Sequence, residues 1–130
     1  MSQPQSDWPA AGVHPLGRHA PADLARAAAQ HRNRWVEVPL AALVDRAGAL
    51  RAIGTALAFP PHYGANLDAL RDCLADLPEH DASPGWALLL QGLSRTAAFD
   101  GRDRATLLEV FRLGVEELGR AGRELRVFHD

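Results

Sequence analysis

The chain has 130 residues, enough for one domain with its own hydrophobic core and short for two. With 47% apolar and 23% charged residues it has an ordinary globular composition, and no apolar run approaches the roughly 18 to 20 residues that span a bilayer. A net charge of −2 argues against a general nucleic-acid binder, and a single cysteine excludes an intrachain disulfide and a cysteine metal cluster. All 14 basic residues are Arg. The stretch Met1–Asp7 has neither a cationic run nor an apolar segment behind it, so no signal peptide is expected and the cytoplasm is the expected compartment.

Residues 1–10 are polar and proline-containing and are expected to fray. Gly12–Leu16 reads as a short edge strand, where Pro15 is tolerated. Pro21 to Gln30 is Ala-rich with Asp23 in its first turn and reads as a helix. Trp35–Val38 alternates as a strand does and ends at Pro39. A second helix is expected from Ala41 to Leu57, stopped by Pro60 and Pro61, and a third from Leu67 to Leu77, ended by Pro78. Trp86 to Leu90 is a continuous apolar run, as in a strand covered on both faces. Asp100–Asp103 reads as a loop, and Ala105–Leu118 as a helix with Leu107, Leu108, Phe111, Val115 and Leu118 inward. Gly119 or Gly122 caps that helix before a last strand at Leu125–Phe128. Strands separated by helices predict an α/β fold with a small, mostly parallel sheet of three to four strands.

The most informative stretch runs from Phe59 to Asp81. Between His62 and Asp81 five acids (Asp68, Asp72, Asp76, Glu79, Asp81) face one base, Arg71. At about 100° per residue, Asp68, Asp72 and Asp76 fall within about 80° of one another, opposite Leu67, Leu70, Leu74 and Leu77. Like charges at this spacing oppose each other by a few tenths of a kcal/mol per pair. A solvated acidic face is the plain account; a docking surface for a cationic partner is the other. Asn66 is suited to cap the helix, and Gly64 permits a positive φ just before it. His62 and Tyr63 stand on the same turn. Rigid aromatic area beside exposed carboxylates suits a protein-binding surface, while Tyr63 as a lid over the core with its hydroxyl in water is the competing account.

The order Tyr63-Gly64-Ala65-Asn66-Leu67-Asp68-Ala69-Leu70-Arg71-Asp72-Cys73-Leu74, preceded by Phe59-Pro60-Pro61-His62, closely resembles the barstar family, the intracellular inhibitors of barnase-type ribonucleases. A looser likeness runs from about Trp35 to Phe128. It would make residues 11–130 a single domain, with 11–34 as an N-terminal extension and 35–130 as the core. The resemblance implies a parallel sheet packed with helices and an inhibitory surface made of His62, Tyr63, Gly64, Asn66, Leu67, Asp68, Arg71, Asp72, Ala75 and Asp76. Asp72 is the residue expected to matter most. The implied partner is a basic extracellular or toxin ribonuclease, barnase-type or related, in a bacterial setting and with no cofactor; charge and hydropathy add the expectation of neither nucleic acid nor membrane. The family often has an aromatic where this chain has His62 and a Trp where it has Arg71. Its acidic loop residue before the last helix has no direct counterpart, although Asp100 and Asp103 lie nearby.

Two other classes of function can be built from the same residues. One is a barstar-like module that binds a different basic protein. The other is a small hydrolase or metal-binding protein using His62, Asp68 and Asp72. Cys73, next to a carboxylate expected to raise its pKa, is the wrong thiol for a nucleophile. Neither a glycine-rich phosphate loop nor a nucleophile elbow is present.

Overall fold

The computed structural model describes residues 8–130. Its elements run β1 (Gly12–Pro15), α1 (Pro21–Gln30), β2 (Asn33–Pro39), α2 (Arg46–Ala56), α3 (Leu67–Ala75), α4 (Leu77–His80), β3 (Gly85–Gln91), α5 (Gly101–Arg120) and β4 (Glu124–His129). The four strands form one all-parallel sheet in the order β1-β4-β3-β2.

Side-chain alternation sorts the sheet into two faces. Trp86, Leu88 and Leu90 of β3 join Val36, Val38, Leu125 and Val127 in the main core, which α2, α3 and α5 cover. Ala87, Leu89 and Phe128 point the other way, into a smaller cluster with Leu24 and Ala28 of α1. Burial on both faces explains the unbroken apolar run of β3. Trp8 also belongs to the smaller cluster. The Arg126 guanidinium lies 4.5 Å from its ring centroid, and Arg126 Nε donates to the Pro9 carbonyl. Of the ten residues expected to fray, 1–7 fall outside the described part of the chain. Trp8 and Pro9 are packed against the fold, the indole buried and the Pro9 carbonyl accepting from Arg126.

Several boundaries differ from expectation, each for a local reason. The second helix begins at Arg46 rather than Ala41. Leu40 N–H still donates to the Gln91 carbonyl at 2.8 Å, which prolongs the sheet, and the Asp45 side chain caps the helix by accepting from Gly48 N at 2.6 Å. Pro78 does not merely end a helix: it sits in the first turn of α4, where its missing N–H costs nothing. The expected loop at 100–103 is the start of α5, since Asp100 accepts from Asp103 N at 2.8 Å as its cap. Val110 and Gly114 take buried places in α5 beside Leu107, Phe111 and Leu118, while Leu108 and Val115 are half-buried. Gly122, at φ +76°, is the glycine that turns the chain after α5.

α3 is seated against α5. A Cβ on Gly114 would stand 3.0 Å from Leu74 Cδ1, so the missing side chain lets the two helices approach closely. Leu70 and Leu74 are fully buried below α3, and its opposite face meets solvent.

Candidate binding site

Asn66 starts α3 from an extended backbone conformation, and its side-chain oxygen accepts from Ala69 N at 2.8 Å. That satisfies one of the free N–H groups of the first turn and fixes where the acidic face begins. Asp68 lies in this turn, where the helix dipole favours a carboxylate. The helix ends at Ala75, with Asp76 as its C-cap, shorter than the expected Leu67–Leu77. Asp68, Asp72 and Asp76 are all exposed, and so are Arg71 and Ala75. Among the described residues, none of the ion pairs involves Asp68, Asp72, Asp76 or Arg71.

The preceding loop is built around Tyr63. Its hydroxyl donates to the Leu50 carbonyl at 2.9 Å, and its ring meets Phe59 edge-on at 5.0 Å between centroids. Burial, with the neighbouring Cys73 as the lesser cause, pushes the phenol up to about 12. Tyr63 is therefore a lid whose hydroxyl is bonded rather than wet, and the half-buried residue also lines a depression beside α3. The expected positive φ is not at Gly64 but at Ala65, at φ +52°. Left-handed backbone is unfavourable for a residue with a Cβ, by about 1–2 kcal/mol, so the turn into α3 is held by its surroundings.

His62 and Tyr63 join Ala69, Asp72, Cys73, Ala75 and Asp76 around an open depression of about 460 Å³. Ala65, Asn66, Leu67 and Asp68 share a second depression, of about 310 Å³, with Arg46 and Ala47. Gly64 and Asn66 are exposed, and Leu67 is half-buried against the core. Arg46 and Ala47 had no signal in the local pattern, because only the packing of α2 beside α3 brings them near. Arg46 is tied to Asp103 at 3.4 Å, and the Asp100 carboxylate caps α5, so both acids near the start of α5 already have partners in the fold.

Asp81 does not belong to the acidic face. Burial would raise its carboxyl, but hydrogen bonds from the Ser83 hydroxyl, the Trp86 indole N–H, the Ser83 backbone N–H and Arg34 outweigh burial and hold it well below the usual carboxylate range. It is a structural junction at the start of β3. Cys73 is buried, and its thiol is pushed up by burial, then by Asp76 and Asp72, which is the environment of an inert thiol. His62, Asp68 and Asp72 do not form a metal-holding group, and among the described residues no three His, Cys, Asp or Glu side chains do. No helix among the described residues is long and apolar enough to cross a membrane.

The arrangement thus offers a rigid, capped helix with unpaired carboxylates, flanked by an anchored aromatic loop. Compared with known proteins, residues 33–130 match the family model Barstar (barnase inhibitor). None of the curated proteins matches the chain.

Proposed function

The chain belongs to the barstar family, and from that premise we propose that it is an inhibitor, not an enzyme, that binds a basic ribonuclease and occludes its active site with α3 and the loop before it. One observation carries the reading: Asp68, Asp72 and Asp76 share one exposed face, and no arginine of the described chain pairs with them. A ribonuclease cleft holds phosphates with Arg, Lys and His, and carboxylates placed there take over those contacts. Asp72 is the central residue of the stripe. Asp68 and Asp76 flank it, while Tyr63 and His62 supply area at its edge. Such charges also steer the encounter, so the association rate falls with salt. The complex forms in the cytoplasm of a producing bacterium, against its own secreted ribonuclease or a rival's toxin, without cofactor, nucleic acid or membrane.

The test is RNA cleavage by purified barnase titrated with the parent protein and with Asp72→Ala. Inhibition by the parent that is lost in the variant is the expected result. Equal inhibition by the two overturns the site. Absence of inhibition, together with capture of a basic protein lacking nuclease activity in an Asp72-dependent way, would favour the second reading, a module for another basic partner.

A further inference from the structure

Arg71 breaks a rule that the other helices obey. Wherever else an acid stands three residues before an arginine within a helix, the two pair: Asp23 with Arg26 in α1, Glu109 with Arg112 at 3.4 Å and Glu117 with Arg120 at 3.1 Å in α5. Asp68 and Arg71 have the same spacing on α3, and both are exposed, yet they form no ion pair. An exposed pair of this kind contributes little to stability, so leaving it open costs the fold little. It leaves the face polarised. Arg71 projects about 60° round the helix from Asp68 and about 100° from Asp72, on the side away from Asp76. A cation thus borders one margin of the stripe, while Asp72 and Asp76 line the depression on the other.

We propose that Arg71 is a specificity determinant: the surface fits a partner whose basic cleft is bordered by an acidic side chain, and it disfavours a cleft that is basic throughout. The physical reason is that a like charge brought against Arg71 on docking repels with little water left to screen it, whereas a carboxylate there completes a pair that α3 leaves open. This rests on the inhibitor reading above.

The probe is purified barnase, with inhibition measured for the parent chain, Arg71→Ala and Asp72→Ala. The same comparison is made on barnase variants in which each Arg or Lys at the cleft margin is changed in turn to Glu. Because Arg71 is exposed, Arg71→Ala should unfold thermally as the parent does. Against unmodified barnase Arg71→Ala should inhibit about tenfold more tightly, and at least one Glu variant should reverse that order. If Arg71→Ala inhibits no better than the parent, or if no Glu variant reverses the order, the proposal is overturned. In either case the inhibitor reading still stands provided Asp72→Ala loses inhibition. If Asp72→Ala inhibits as the parent does, both fail together.

Discussion

The ring of Tyr63 lies on the backbone of Gly54, so close that a Cβ on Gly54 would stand 2.4 Å from Tyr63 Cε2 and 2.6 Å from Cδ2. No side chain fits between them, and the glycine in the last turn of α2 is thereby tied to the loop that precedes α3. Gly54→Ala gains about 1 kcal/mol of helix propensity but drives a ring held by Leu50 and Phe59 out of place, an overpacking that costs about 1–3 kcal/mol. The expected outcome is net destabilisation in urea unfolding together with weaker partner binding. A variant as stable as its parent would show that the ring moves aside freely.

Tyr63 is the chain's one tyrosine, so near-ultraviolet absorbance reports its ionisation alone. The phenol should titrate at about 12 in the folded protein against 10.0 for a free one. A folded value raised above the unfolded one means that the folded state keeps the proton longer. The contribution is whole below pH 10 and is lost as pH rises through about 12. Tyr63→Phe should abolish that alkaline slope and, by removing the hydrogen bond to Leu50, cost about 1 kcal/mol at neutral pH.

Asn66→Ala removes the cap of α3 and should lower stability by about 1 kcal/mol, read from the midpoint of denaturant unfolding. Because the cap also fixes the start of the acidic face, partner affinity should fall with it. Unchanged unfolding would remove the cap from the account of how the site is held.

Asp81 links Arg34, Ser83 and the indole of fully buried Trp86. Its folded pKa is depressed, so its contribution is present above the unfolded value of 3.8 and is lost as pH falls through the lower folded value. Asp81→Ala should flatten the acid limb of the stability curve. It should also cost about 1–3 kcal/mol near neutrality, by stranding the Trp86 N–H. Partner binding by the folded variant should be unchanged, since Asp81 lies outside the acidic face.

Asp72→Ala should do the reverse. Removing one of three like charges spaced four apart relieves about 0.2–0.5 kcal/mol per pair, so thermal stability should hold or rise slightly. Partner affinity should fall by about 2–5 kcal/mol, the range for truncating one member of a buried charge pair. The parent's association rate should fall as salt rises, and the variant's should fall less steeply.

What the sequence determined by itself was everything set by spacing and short-range chemistry. The Asp68–Asp72–Asp76 stripe opposite Leu70 and Leu74, the Asn66 cap and the doubly covered strand at β3 each follow from residues within one or two turns of each other. The order of Tyr63 to Leu74 was enough to point to the family. Tertiary structure decided whatever depends on partners far apart in the chain. Asp81 looked like one more surface acid until β2 brought Arg34 to it across 47 positions and the fold closed Trp86 over it. For Tyr63 the local pattern left a binding aromatic and a lid with a wet hydroxyl equally open, until α2 supplied the Leu50 carbonyl and the space above Gly54. The positive φ at the turn falls on Ala65 rather than on the neighbouring glycine, against the local preference that would have placed it at Gly64. Local patterns fix which face of an element is apolar or charged; only docking against the sheet decides which of those charges find partners and which remain in solvent.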